Sequence, residues 1–424
     1  MFNLRLTLAS TIFLAATLVH AATPPATLVQ LAELTPSTRV TNDWFGISIA
    51  VSGNTVVVGD FDSNIETYGA VYVYVKPDSG WASMTQVAKL TSSDNGEGFG
   101  TSVAISGNTI VVGAANTSNF NKAGSVAPSA GPGAAYVFVK PVSGWTDATE
   151  TAKLTASDGQ PGAAFGDSVS ISGFTIAVGA FFAVDNSGNS FAGKAYVFTR
   201  PTNGWSGNLN ETAKLTAFDS QLLNYMGASI AVSGNTVIAG AYGHNNFQGA
   251  AYVFVEPAGG WVNRTQTAEL TASDGAGSAD FGFSSAISGD TALVGAVNAF
   301  NGKGAAYVFV KPTTGWSNMT QTAEMRAPNA VQGDGFGQSA AISGNAIVIG
   351  APGTTVGSNN GQGAAYLFIK PPSGWRTTTK ASELTASDGA ASDNMGVSIS
   401  MSGPTAVAGA PKSSTPGSAY VFGP

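Results

Sequence analysis

Phe99-Gly100-Thr101-Ser102-Val103-Ala104-Ile105-Ser106-Gly107-Asn108-Thr109-Ile110-Val111-Val112-Gly113-Ala114 is a pair of short apolar runs joined by Gly-Asn. In the first run branched apolar residues alternate with small or polar ones, which is the period of a strand with unequal faces. The second is apolar almost throughout. Gly accepts the positive φ that the first central position of a two-residue type II′ turn demands, so the pair reads as a tight hairpin. Further along, Ala134–Val139 supplies a third run with Tyr136 and Phe138 on one face. Both its faces are apolar, as suits a sheet packed between two neighbours. Pro141 and Gly144 break it ahead of Trp145, and Glu150–Thr155 alternates polar with apolar as an outer strand with one wet edge does.

This four-strand unit opens seven times, at Phe45-Gly46, Phe99-Gly100, Phe165-Gly166, Met226-Gly227, Phe281-Gly282, Phe336-Gly337 and Met395-Gly396, with steps of 54, 66, 61, 55, 55 and 59 residues. Repeats of that length, built from short strands, predict a radial array of sheets. The hairpin turn returns at Gly53-Asn54, Gly234-Asn235, Gly344-Asn345 and Gly289-Asp290; at Gly173-Phe174 and Gly403-Pro404 the second residue changes and the Gly stays. Gly-Trp recurs at Trp81, Trp145, Trp205, Trp261, Trp316 and Trp375, and a repeated position argues for packing over a sugar-stacking role. After the last opening only three strands follow, ending at Tyr420-Val421-Phe422, while Leu28–Thr35 matches the missing fourth. The expected fold is therefore an all-β, seven-bladed β-propeller of four-stranded antiparallel blades over residues 27–424, its ring closed by the N-terminal strand completing the last blade.

Ahead of it, Arg5, the apolar stretch Leu6 to Val19 and Val19-His20-Ala21 read as a secretory signal peptide over residues 1–21, with 22–26 a short linker. The chain is expected in an extracellular, cell-surface or periplasmic compartment. Charged residues make up 10% of it, against a typical share of about 25%. Together with a net charge of −7, this removes the electrostatic basis for a nucleic-acid or anionic-membrane partner. No later segment is long and apolar enough to span a bilayer. With no cysteine there is no disulfide framework, thiolate nucleophile or Cys-ligated metal.

The FG openings, the Gly-Ala that ends the second strands after the first, and the full Gly-Ala-Pro at Gly350-Ala351-Pro352 and Gly409-Ala410-Pro411 resemble the FG-GAP repeat of integrin α-subunit propellers and of many exported bacterial proteins. The resemblance spans nearly the whole chain after the leader and implies extracellular interaction rather than catalysis. In that family Ca²⁺ commonly sits in an Asp-rich loop between the first and second strands. Here a two-residue Gly-Asn turn replaces that loop, and no cofactor is expected. Asp60, Asp62, Asn64 and Glu66 place oxygens at alternate positions, but Ile65 stands where an EF-hand-type loop needs Gly, so a solvated acidic loop is the expectation.

In an antiparallel meander the second-to-third and fourth-to-first loops share one face of the disc. The opposite face repeats almost unchanged as Gly-Asn turns and KPxxGW links, whereas the first face varies. Its loops carry Asn116, Phe120, Phe182, Asp185, Tyr242, His244, Asn245 and Phe300, aromatic and amide groups suited to recognising an extracellular carbohydrate or protein ligand. Catalysis has little to stand on, since His20 leaves with the leader and His244 has no histidine partner. Asp94, Asp158, Asp219, Asp274 and Asp388 recur directly after the fourth strand as turn formers. An exported polysaccharide hydrolase or lyase using such aspartates is the alternative from another class, and a structural surface component is a third. Asn116, Asn210, Asn263 and Asn318 head glycosylation sequons, of consequence only in a host that glycosylates exported proteins.

Overall fold

The computed structural model describes residues 27–38, 44–61, 69–115, 131–185, 187–411 and 416–424. Seven sheets follow one another along the chain, each ordered from a first, innermost strand to a fourth, outer one. In the second blade these strands are Phe99–Ser106, Thr109–Ala114, Ala134–Val139 and Ala152–Thr155. The N-terminal strand Val29–Thr35 lies antiparallel on Ser418–Gly423, with Val29 opposite Gly423 and Leu34 opposite Ala419, and so completes the seventh blade. The fold is the seven-bladed propeller that the repeat predicts.

The outer edge differs from expectation. In four blades the outer strand is paired in parallel with a short segment that follows the Gly-Trp of the next unit, as Ala152–Thr155 is with Gly207–Asn210, giving five strands. Single bridges from Leu90 to Ala148 and from Met325 to Thr378 repeat the contact in two more. The fourth strand thus has little wet edge, which suppresses edge-to-edge association.

Each signature residue of the repeat works at the joint between blades. The Ser two positions after the opening Gly donates its Oγ–H to the carbonyl of the opening Gly of the next blade: Ser48 to Gly100, Ser102 to Gly166, Ser168 to Gly227, Ser229 to Gly282, Ser284 to Gly337 and Ser339 to Gly396. Ser398 to Gly46 closes the circle, and all seven bonds measure 2.6–2.9 Å. A second circle runs near the other end of the channel. There the hairpin Gly N–H donates to the Ser that precedes the hairpin of the previous blade, from Gly107 to Ser52 round to Gly53 to Ser402, at 3.0–3.4 Å. The Ser-Gly pair is therefore both a turn and a clasp.

Two kinds of glycine separate here. Hairpin glycines such as Gly234 have φ near +56° with open space around a notional Cβ, so conformation alone selects Gly. The next residue does not share the positive φ, as type II′ geometry requires, and Pro404 is accommodated. Gly240, next to last in a second strand, has ordinary φ, but a Cβ there would lie 2.0 Å from Gly282 O and 2.3 Å from Ser229 Oγ. Close approach of the next blade excludes any side chain.

The core is a set of apolar layers, one per joint. The opening Phe meets the third-strand aromatics of its own blade edge-on, as Phe165 does Tyr196 and Phe198 at 5.3 and 6.1 Å, a favoured arrangement for aromatic quadrupoles. Six joints take one buried Trp each; the joint between the sixth and seventh blades takes Leu28 instead. Trp recurrence is thus a packing device.

Candidate functional site

The aspartates after the fourth strands are more than turn formers. Asp94 accepts from Tyr136 of the next blade at 2.8 Å and Asp158 from Tyr196 at 3.0 Å, and both pair with lysines. Although burial alone would raise them, Lys153 and Tyr136 hold the Asp94 carboxyl below its ordinary range, and Lys194 and Tyr196 do the same for Asp158. Burial and the facing carboxylate push the tyrosine hydroxyls above their usual range, so they remain donors. These acids tie blades together and are not poised for general acid and base work.

Seven aromatic rings form one continuous surface on the variable face across the third, fourth and fifth blades. Phe181, Phe182 and Phe191 come from the second-to-third loop of the third blade, with Phe181 and Phe182 centroids 3.9 Å apart. Tyr225, in the loop entering the fourth blade, lies 6.2 Å from Phe181 and stacks on Tyr242 at 5.0 Å and 16°. Phe247 lies 6.2 Å from Tyr225, and Phe283, at the channel mouth, 5.8 Å from Tyr242. Phe247 and Phe283 are each 37% exposed, and Phe218 and Leu222 of the neighbouring loop stand out at 84% and 61%.

Polar groups border these rings. Asp167, half-buried in the channel wall, is pushed up to about 7 by burial, and its charge is felt at Tyr242. Asp280 is raised by burial, partly offset by the bond from Asn298. Such an arrangement of ring faces beside carboxylate and amide groups supplies the apolar contact and the directed hydrogen bonds that a sugar or a peptide side chain needs.

Backbone conformation adds a second observation. The residue before each opening pair has positive φ in every unit: Trp44, Gly98, Ala164, Tyr225, Asp280, Gly335 and Asn394. Gly98 and Gly335 satisfy the fold there without strain. A bulky Tyr at φ +56° costs about 1–2 kcal/mol, so Tyr225 is placed against the local preference of the chain. Phe191 and Phe247 sit in the same region, at φ +56° and +63°.

Of the residues singled out by sequence, Tyr242 lies in this surface, while Phe182 is buried at its base with 8% exposure. Asp185 is tied into its own loop by Ser187 N, Asn189 N and Asn189 Nδ2, bonds that hold its carboxyl low against the raising effect of burial. Asn245 is exposed and bonds Gln248. Phe300 lies under the Arg326 guanidinium at 3.5 Å. His244 joins a different group, Asp219 and Glu269. Asn116, Phe120, Asp62, Asn64 and Glu66 fall outside the described residues, while Asp60 ends a strand and is buried.

Tyr225 and Phe283 went unnoticed in the sequence. Each stands beside an opening pair, where its departure from the other copies was the available signal. Asn210, Asn263 and Asn318 are exposed. Asn263 and Asn318 each accept the N–H of the preceding blade's outer strand, at 2.8 and 2.9 Å, as Ser83 and Asp147 do at equivalent positions. Their side chains therefore have a structural role in the outer clasp.

A model of the FG-GAP repeat matches the chain over residues 28–74, 84–138, 148–198, 209–254, 264–309, 319–368 and 378–422. Each match begins at or before one outer strand and ends in the third strand of the following blade, so the family's unit straddles a joint. No curated protein matches the chain.

Proposed function

The chain belongs to the FG-GAP repeat family, and from that premise we propose that it is an exported, non-catalytic binding module that takes an extracellular glycan on the aromatic surface of its third to fifth blades. The continuous run of rings from Phe191 to Phe283, part of it held in costly backbone conformations, is the observation that carries this reading. Sugar C–H faces stack on aromatic rings, while Asp280, Asn298 and Asn245 stand ready to accept and donate at hydroxyls. The leader read over residues 1–21 delivers the protein to the compartment where such a ligand is met.

The test is a glycan and extracellular-matrix array probed with purified protein, wild type beside Tyr225→Gly and Tyr242→Ala. Gly satisfies the positive φ at position 225, so Tyr225→Gly should stay folded while losing a central ring. A glycan hit lost in both variants, with thermal stability little changed in Tyr225→Gly, is the expected outcome. Hits confined to matrix proteins would reassign the ligand class, and a glycan hit untouched by either substitution would refute the surface.

A further inference from the structure

We infer that Asp219, His244 and Glu269 form a binding site for a divalent metal ion of the zinc class. Their ligand atoms lie within 4.8 Å of one another, with His244 Nε2 3.7 Å from Asp219 Oδ2 and 3.8 Å from Glu269 Oε1. Zinc bound at about 2.0–2.2 Å to each of three ligands sets tetrahedral neighbours about 3.4 Å apart, so the two contacts of His244 need close by only a few tenths of an ångström and the carboxylate rotamers supply the remainder.

The repeat supplies its own control. At equivalent joints the aspartate after the outer strand meets a fixed cation: Asp94 meets Lys153, Asp158 meets Lys194 at 2.9 Å and Lys214 at 3.3 Å, and Asp274 meets Arg326 at 3.9 Å. In the fourth blade the outer-strand lysine position is Glu269, opposite Tyr252 in the ladder just as Lys153 is opposite Tyr136. Among the described residues the ion pairs of Asp219 and Glu269 run only to His244. Two carboxylates thus converge, as Asp274 and Glu324 do about Tyr307 and Asp388 and Glu33 about Tyr420, but among the described residues only this joint sets an imidazole beside them.

Imidazole orientation points the same way. His244 Nδ1 lies 2.9 Å from Asn224 Oδ1, which only accepts, so the tautomer protonated on Nδ1 completes this bond. Tyr252 OH stands 3.2 Å away on the same side. Nε2 is then the ring nitrogen turned toward the two carboxylates, the position from which it can share a cation with them. A ligating histidine whose other nitrogen donates to a carbonyl is the usual outer-shell arrangement of protein zinc sites. Two ligands stand on ordered backbone: Gly249 N–H bonds the His244 carbonyl at 2.9 Å, and Glu269 lies within a strand. Asp219 and Glu269 side chains are 34% and 23% exposed, which leaves an open coordination position toward solvent.

The test is titration of the full-length protein with Zn²⁺ by calorimetry and with Co²⁺ by visible absorption. One ion per chain is expected, with cobalt ligand-field bands, and no such stage in His244→Gln or Glu269→Gln. Asn224→Leu, which removes the outer-shell acceptor, should weaken binding about 10–100-fold. Asp388→Asn, at a joint with acids but no imidazole, should leave it unchanged. Circular dichroism checks that each variant folds. In ¹⁵N spectra, saturating Zn²⁺ should move the Nε2 resonance of His244 and leave Nδ1 protonated. Absence of a one-to-one stage in the wild type, its persistence in folded His244→Gln, or an Nε2 that keeps its proton in saturating Zn²⁺ would each overturn the assignment. The site does not depend on a glycan reading of the aromatic surface, since these readouts use metal alone.

Discussion

At the residue scale, three small side chains decide how closely blades approach. Gly240 lies under the Ser229 Oγ and the Gly282 carbonyl, so Gly240→Ala forces backbone apart rather than merely straining a torsion. It should cost about 1–3 kcal/mol in urea denaturation. Ser229→Ala, which leaves a buried carbonyl without its donor, should cost about 1–3 kcal/mol, and combining the two should cost less than the sum because both act on one contact. Strict additivity would show that the serine circle and the glycine contact are independent. Asp167 makes a pH-dependent claim. Its folded-state carboxyl is raised to about 7, above the free value of about 3.9. Between those limits the folded chain keeps a proton that the unfolded chain releases, so this residue's contribution is present at low pH and lost as pH rises through about 7. Asp167→Asn should therefore flatten the fall in stability between pH 5 and 8 and exceed the wild type at pH 8, measured by urea denaturation at both. An unchanged slope would show that channel water keeps the carboxylate solvated.

At the element scale, the outer strand is where sequence reading and structure part company. The period-two pattern of Glu150–Thr155 identifies a strand, and it is one from Ala152 to Thr155. Its parallel partner could not be read, because Gly207–Asn210 lacks apolar alternation and is held from outside by backbone pairing. The same outer rim carries a staple that recurs as Gln or Glu. Gln86 accepts Ser37 N, Glu150 accepts Ser93 N, Glu211 accepts Ser157 N, Gln266 accepts Phe218 N and Gln321 accepts Ser273 N. Gln30 accepts Ser387 N at 2.8 Å, joining the first strand of the chain to the blade before the last. The N-terminal strand thus carries two closure devices, Gln30 outside and Leu28 within. Gln30→Ala should cost about 0.5–1.5 kcal/mol, as one exposed hydrogen bond does, and Leu28→Ala about 2–5 kcal/mol, as a buried apolar truncation does. Equal losses in thermal or urea denaturation would contradict the assignment of Leu28 to the place of the missing Trp.

At the scale of the whole molecule, the ring was legible and the binding surface only partly so, for one reason. Contacts that repeat seven times leave seven copies of their cause in the sequence, whereas Tyr225, Phe247 and Phe283 occur once and meet only through the curvature of the disc. His244 could be judged from sequence only by its lack of a second histidine; that carboxylates from two other loops and strands complete its surroundings follows from the joint. Repetition also carries a mechanical consequence. Since both serine circles pass through every joint, the joint that holds the chain break carries the same two bonds as the other six. Val29 lies opposite Gly423, so the two ends of the described fold already adjoin and a short linker can connect them. New termini can be opened between Asp78 and Ser79, in an exposed link on the repetitive face. That permutant keeps every strand pairing, and its first blade becomes the one completed in two pieces, with Trp81 now on the incoming segment. It should fold with a stability close to that of the parent and keep whatever the aromatic surface binds. A permutant opened inside Thr55–Asp60, which severs a fully buried strand, should not fold. If the first permutant unfolded as readily as the second, the seven joints would not be interchangeable. Closure by the N-terminal strand would then hold something the other six joints lack.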